Sequence, residues 1–215
     1  MFDGYLRGRA RRDGSRFRPF DEKADYDRYL DGKPRYDGVR SFLSSRGIRI
    51  PEGRPGDRPG SETVTGLGDL KNEMVLQLIR ERGVRTYEGS IRYVRAARRR
   101  GLACAVVSSS TNCREVLRAA GIHRLFDVVV DGIVAHRCRL KGKPAPDTYL
   151  AAARRLRVGP GGATVYEDAL AGVEAGRAGR FGLVVGVDRV GQAAALRRHG
   201  ADIVVSDLAE LLERP

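Results

Sequence analysis

A chain of 215 residues, 41% of them hydrophobic, is long enough for one large or two small domains with apolar cores. No apolar run approaches the roughly 20 residues that a membrane helix needs, and the N-terminus lacks the residue order of a signal peptide. The formal net charge is +13, but the densest basic runs, at 9–12 and 95–100, have no interleaved aromatic residues. We therefore expect neither a membrane nor a nucleic acid as partner, although a basic surface favours anionic small substrates.

The three cysteines, Cys104, Cys113 and Cys138, are odd in number and lack C-x-x-C spacing. This pattern argues against a disulfide framework and against a zinc site, and it is typical of a reducing cytosol. We therefore expect a cytoplasmic protein, and we expect it to be a monomer.

Residues 1–85 and 86–215 have different patterns. The first part is predicted to be an α-helical bundle, whose last helix, 69–82, is amphipathic and closed by Gly83. The second part alternates strands with helices, which indicates a parallel, Rossmann-like sheet with right-handed crossovers and an α/β fold class. The predicted helices end near Arg12 and near Leu30 or span 36–46, 69–82, 90–100, 114–120, 147–156, 170–178 and 192–198, with a short one from Leu208; the predicted strands are 103–107, 126–130, 164–166, 182–187 and 203–205.

The segment 163–176, A-T-V-Y-E-D-A-L-A-G-V-E-A-G, changes from a β-favouring run to a small-residue helix pattern. Glu167 and Asp168 stand at this change, where the carboxyl end of a parallel strand places ligand-binding groups. Adjacent carboxylates repel each other unless a cation lies beside them, and oxygen-only ligation suits magnesium. The alternative is that Asp168 caps the following helix while Glu167 is solvated.

Two other predicted loops also contain polar residues suited to a binding site. The run S-S-S-T-N at 108–112 separates a strand from a helix, where hydroxyls and free N–H groups form an anion site, although an ordinary serine N-cap is the alternative. Lys143 precedes a rigid P-A-P segment that holds its backbone extended, with Asp147 as the expected helix cap. A lone Lys-Pro pair is a weak signal, but a hydroxyl, an ammonium and a carboxylate pair in this order together indicate one site.

The motifs V-V-S-S-S-T-N, G-K-P-A-P-D and Y-E-D-A-L-A-G-V-E-A-G resemble three of the four signature motifs of the haloacid dehalogenase superfamily, most closely those of its β-phosphoglucomutase-like branch. The resemblance implies that Ser108 hydrogen-bonds the phosphoryl oxygens and that Lys143 pairs with the nucleophile and the transferring group. It also implies that Glu167 and Asp168 hold Mg²⁺ directly or through water. Phosphoryl transfer requires such neutralisation of negative charge.

The resemblance covers nearly the whole chain, with 1–85 similar to an inserted α-helical cap domain and 86–215 to the phosphotransferase core. It implies substrate-binding roles for five residues: Arg35, Lys71, Asn72, Ser110 and Asn112. The arginine grips the phosphate that is not transferred, since its planar fork pairs two oxygens. The Lys-Asn pair contacts the sugar, and the last two residues meet the distal phosphate from the core. Thr111 stands where the branch often has lysine, and solvated helix ends are the alternative interpretation of Arg35 and Lys71.

The superfamily's first motif, which is the remaining one, is an apolar strand followed by D-x-D-G, and it supplies the nucleophilic aspartate. Only Asp3-Gly4 could match it here, and Met1 and Phe2 are too few to form the strand, so a helix is expected at this position. The main hypothesis is a magnesium-dependent sugar-phosphate mutase or phosphatase that is truncated at the N-terminus and lacks the first strand of its core. The alternative is a non-catalytic module that binds sugar phosphates or regulates.

Overall fold

The computed structural model describes residues 1–212, and the chain divides into two compact units, Met1–Arg82 and Gly83–Pro215. Each unit has its own apolar core. The assignment of these units as cap and core remains a prediction. No helix of the described residues is long and apolar enough to cross a membrane.

The first unit is α-helical, as predicted. Its helices are α1 Phe2–Asp13, α2 Ala24–Tyr29, α3 Arg35–Ser45 and α4 Val64–Arg82. The core forms where the apolar faces of these helices meet, and Val39 and Phe42 of α3 are fully buried there. The Phe42 ring packs against the ring of Phe2, with 4.4 Å between centroids. Residues at the start of the chain therefore belong to a helix and not to a strand.

Helix α4 begins at Val64, five residues before its predicted start. The extra turn contains two glycines, which weaken a helix prediction because glycine loses backbone entropy. Tight packing explains them. A Cβ at Gly68 would lie 2.5 Å from the Tyr36 ring, and one at Gly66 would lie 2.7 Å from the Ser61 carbonyl oxygen.

The second unit alternates strands with helices, again as predicted. Its elements are α5 Glu88–Arg99, β1 Ala105–Val107, α6 Cys113–Ala119, β2 Val128–Val130, α7 Gly132–Arg137, α8 Asp147–Leu156, β3 Thr164–Glu167, α9 Leu170–Ala178, β4 Leu183–Val187, α10 Ala193–Arg198 and β5 Ile203–Val205, with 3₁₀ turns at His123–Leu125, Pro160–Gly162 and Leu208–Leu211. Among these α-helices and strands, only α7 was not predicted. It is short, and the buried Asp131 caps it by accepting a hydrogen bond of 2.8 Å from the Val134 amide.

The strands pair in parallel but in two groups. β1 pairs with β2, with Val107 opposite Val130, and β3 pairs with β4 and β4 with β5. Among the described residues, β1 and β3 therefore each have one edge without a paired strand. Helix α8 packs against β1, β2 and α9. Val107 of β1 packs on the core cluster that contains Val165 of β3, so both groups border one apolar core.

Candidate functional site

Glu167, the last residue of β3, lies at the centre of a buried polar cluster. Its Oε1 accepts hydrogen bonds from the Lys143 ammonium and from the Tyr149 hydroxyl, and its Oε2 accepts one of 3.2 Å from the Ala169 amide. The side chains of Lys143 and Glu167 are each 8% exposed. Burial of two opposite charges is tolerated here because they form an ion pair with additional hydrogen bonds.

The segment 141–147 places Lys143 in this cluster. The Lys143–Pro144 bond is cis, and the Asp147 carboxylate accepts a hydrogen bond of 3.1 Å from the Lys141 amide. Asp147 was expected to cap α8, but this expectation was wrong, because Pro146 occupies the N-cap position and Asp147 is the first helical residue. The carboxylate is used instead to close the loop that precedes the helix.

Gly172 allows α9 to approach Glu167. A Cβ at this position would overlap the Glu167 carboxyl group. The small residues that follow Asp168 in the sequence therefore have a packing function: they bring the helix directly onto the buried carboxylate.

Asp168 has an exposed side chain beside the buried Glu167. The atoms that surround it partly desolvate its carboxyl group and the charge of Glu167 repels it, so the pKa of Asp168 is raised above its ordinary value. No ion pair within residues 1–212 involves this carboxylate. It does not cap α9 either, since the N-cap residue is Ala169 and makes no side-chain cap. The N-cap alternative for Asp168 was therefore wrong.

These carboxylates have the donor chemistry that magnesium requires. Their oxygens are hard ligands. Desolvation and the repulsion from Glu167 both raise the Asp168 pKa, and a cation removes such repulsion. Residues 1–212 contain no group of three or more histidine, cysteine or acidic side chains arranged for a metal. Magnesium is compatible with this set, because it keeps several waters and commonly uses only one or two protein carboxylates.

The loop after β4 supports Asp168 from a direction that the sequence did not reveal. The Gln192 side-chain amide donates a hydrogen bond of 2.8 Å to the Asp168 carbonyl oxygen. The same loop is held by Asp188, whose carboxylate accepts from the Gly191 and Gln192 amides at 2.7 Å. In the sequence, only the acidic residue directly after β4, Asp188, could have indicated this loop.

The loop after β1 has internal hydrogen bonds. Ser108 Oγ accepts from the Ser110 amide and Ser110 Oγ accepts from the Asn112 amide, both at 3.1 Å. Gly132 packs so closely that a Cβ there would lie 2.6 Å from the Ser109 carbonyl oxygen. Asn112 is the N-cap residue of α6, so no serine caps that helix. No hydrogen bond within the described residues joins Ser108 to Lys143 or Glu167.

In the first unit, the structure brings Arg35, Lys71 and Asn72 together. The Arg35 guanidinium donates to Asn72 Oδ1 at 2.6 Å and to Asp69 at 3.2 Å, and Asp69 also accepts from the Tyr36 hydroxyl at 2.8 Å. The Arg35 side chain is 21% exposed, so a solvated helix end does not describe it. Lys71 is half-buried, and desolvation together with the charge of Arg35 lowers its pKa.

Comparison with known proteins agrees with the sequence motifs. A family model described as haloacid dehalogenase-like hydrolase matches residues 56–180. A protein named β-phosphoglucomutase from Mycobacterium bovis is 56% identical over 215 residues, which are 99% of this chain and 82% of the relative.

Solved structures show the same fold. The crystal structure of β-phosphoglucomutase from Clostridium difficile matches with a TM-score of 0.70 at 24% identity, over 89% of this chain and 78% of that one. CbbY from Rhodobacter sphaeroides, in complex with xylulose-(1,5)bisphosphate, matches with a TM-score of 0.69 at 25% identity, over 90% of this chain and 81% of that one. The resemblance of the motifs is confirmed, and the chain belongs to the haloacid dehalogenase superfamily, in its β-phosphoglucomutase-like branch.

Proposed function

We propose that this chain serves magnesium-dependent phosphoryl transfer on a phosphorylated sugar, as part of a mutase or a phosphatase. The observation that supports this most is the buried Lys143–Glu167 pair with the exposed Asp168 carboxylate beside it. The name of the relative from Mycobacterium bovis agrees with a sugar phosphate as substrate. We also propose that the protein is a cytoplasmic monomer.

Asp168 is the carboxylate best suited to bind the cation directly, because it has solvent access and because a cation would reduce its repulsion from Glu167. Glu167 would assist through Oε2 or through water, since Oε1 already accepts two hydrogen bonds. Bound magnesium would neutralise charge on the transferring phosphoryl group. Lys143, held by Glu167, would add a positive charge at the same site.

The loop 108–112 would bind the phosphoryl oxygens. Ser110 Oγ accepts an amide hydrogen bond, which leaves its hydroxyl hydrogen to donate to an anion. Ser108 is placed next to Cys113, and burial raises the pKa of that thiol, so Cys113 stays protonated and is a poor nucleophile. The proposed roles of Ser108, Ser110 and Asn112 therefore concern binding and charge stabilisation.

Arg35, Lys71 and Asn72 would bind a second anionic part of the substrate. Two cations share this part of the first unit, and burial of Lys71, together with the charge of Arg35, lowers the Lys71 pKa. A phosphate group would relieve that repulsion and would accept from the guanidinium fork. This observation favours a phosphorylated hexose over inorganic phosphate as the ligand.

The reaction also needs the nucleophilic aspartate of the first motif, which residues 1–215 do not provide. We propose that the active enzyme has an additional N-terminal segment with an apolar strand and F-D-x-D-G. The coding DNA upstream of Met1 tests this, since an in-frame segment of this type supports truncation. A stop codon there favours the alternative, a sugar-phosphate-binding or regulatory module without catalysis.

The decisive experiment is a phosphate-release and mutase assay with hexose phosphates and magnesium. Residues 1–215 should be inactive or nearly so, and the lengthened chain should turn over hexose phosphates. Robust magnesium-dependent phosphoryl transfer by residues 1–215 alone would show that the nucleophile lies within them and would overturn the proposed truncation.

A further inference from the structure

Tyr149 of α8 contacts both members of the buried ion pair. Its hydroxyl donates to Glu167 Oε1, and its ring lies under the Lys143 ammonium, 5.0 Å from nitrogen to centroid. The residue is 7% exposed, and its ring packs edge-on against Phe181 at 5.9 Å between centroids. The ring position is thus fixed by core packing, while the hydroxyl and the ring face both point to the pair.

We propose that Tyr149 is a positioning residue for magnesium binding, which fixes the Glu167 carboxylate and the Lys143 ammonium in one orientation. The inference rests on the proposed magnesium role of Glu167 and Asp168. A carboxylate has about four lone-pair sites. Two donors occupy sites on Oε1, whereas Oε2 accepts only the longer 3.2 Å bond from the Ala169 amide within the described residues. The capacity that remains for a cation or its water is therefore concentrated on Oε2.

A lysine alone would fix this orientation poorly, because its ammonium is a point charge on a flexible stem. The tyrosine hydroxyl, by contrast, sits on a rigid ring at the end of a packed helix. The hydroxyl hydrogen is directed at Glu167 Oε1, and burial of the residue shields this hydrogen bond from water. The close packing of α9 at Gly172 also limits movement of the carboxylate, since no Cβ fits between the helix and Glu167.

A control residue lies on β3, the strand that ends at Glu167. Tyr166 is more exposed than Tyr149 and is next to Glu167 in the sequence, but its hydroxyl pairs with the Tyr93 hydroxyl at 2.6 Å and not with a carboxylate. Tyr149→Phe and Tyr166→Phe therefore remove the same atom, and both leave the ring in place. Only the first change removes a donor from Glu167.

The test is magnesium added in steps to the full chain, with binding followed by NMR. Tyr149→Phe should raise the Kd for magnesium about 10-fold to 100-fold, the range for residues that orient a metal ligand. Tyr166→Phe should leave the Kd unchanged, and Asp168→Asn should weaken binding.

Unchanged magnesium affinity in Tyr149→Phe overturns the inference, and weakened binding in Asp168→Asn would then still support the proposed function. If neither variant changes the affinity, both proposals fall. If Tyr149→Phe does not fold, the unmodified chain provides a second measurement. Its Tyr149 hydroxyl proton signal should shift when magnesium is added, and the absence of a shift overturns the inference.

Discussion

The two charged clusters of this chain differ in how their charges are balanced. In the second unit, Lys143 is paired with Glu167, and both side chains are 8% exposed. In the first unit, Arg35 pairs with Asp69, and burial together with the charge of Arg35 lowers the Lys71 pKa. Lys71 makes no ion pair with any described residue.

This difference indicates what each cluster does without a ligand. A buried, balanced pair is stable until one partner is removed, and the remaining charge is then costly. A cluster with excess positive charge is under repulsion, which an anion would relieve. The first kind of cluster fixes structure, and we propose that the second kind binds an anionic ligand.

Removal of Lys143 should give the largest effect. Lys143→Met leaves the Glu167 carboxylate buried without its cation, and we expect a loss of about 3–5 kcal/mol in the free energy of unfolding. Urea unfolding at neutral pH, without metal, measures this.

Lys141→Met is the matched control, because Lys141 is exposed in the same loop and makes no ion pair among the described residues. Its effect should stay within about 0.5 kcal/mol. The double variant Lys143→Met with Glu167→Gln should recover part of the lost stability. A loss below about 1 kcal/mol in Lys143→Met would mean that the pair is effectively solvated.

Much of the second unit could be predicted from the sequence, because the residues that begin or end its helices and strands are distinct. Helices α8 and α9 and strand β5 have the predicted bounds. Pro146 precedes α8 and Gly179 ends α9, and the apolar runs are short and distinct. The position of the two acids at the end of β3 also follows from this pattern, since ligand-binding groups gather at strand ends.

Contacts distant in sequence explain what could not be predicted. Helix α7 depends on a cap from the buried Asp131, and the first turn of α4 depends on glycines that fit against Tyr36 and Ser61. Lys143 was expected to pair with a nucleophile, and its pairing with Glu167 was not predicted. Nothing in the sequence marks Tyr149 as more than a core residue, because its contact with Glu167 depends on how α8 lies against β3.

Arg35→Ala tests whether the charged cluster of the first unit binds a ligand. If the first cluster binds a phosphate, this change should weaken binding of a hexose bisphosphate by about 1.5–3 kcal/mol, as for a hydrogen bond to a charged group. Calorimetry measures the affinity. Arg40→Ala is the control on the same helix, since Arg40 forms exposed pairs with Asp37 and Glu52. Unchanged hexose-phosphate binding in Arg35→Ala, with nucleotides bound equally well, would show that the cluster is structural.

Gly172→Ala tests how tightly the balanced cluster is packed. A methyl group there would overlap the Glu167 carboxylate, so we expect the free energy of unfolding to fall by about 1–3 kcal/mol. Gly4→Ala in α1 should instead stabilise the chain by about 0.5–1 kcal/mol, because its Cβ would meet nothing within 4 Å and alanine favours a helix. Equal and small effects at both positions would mean that α9 moves away from Glu167 easily.

Asp168→Asn should have the smallest effect on stability, and its sign depends on pH. The Asp168 pKa is raised in the folded chain, so the ionised side chain is less favourable there than in the unfolded chain. Without metal, the variant should therefore be more stable at neutral pH, by less than about 1 kcal/mol because the carboxylate has solvent access. This gain should disappear as the pH falls through the folded pKa of Asp168, since protonation removes the same charge in the unmodified chain. Urea unfolding at several pH values measures the gain, and a loss of stability at neutral pH would contradict the repulsion from Glu167.

Magnesium should make the unmodified chain more stable than Asp168→Asn, because the unmodified chain keeps a ligand that the variant lacks. Tight, stoichiometric magnesium binding that Asp168→Asn leaves unchanged would show that the cation does not use this carboxylate.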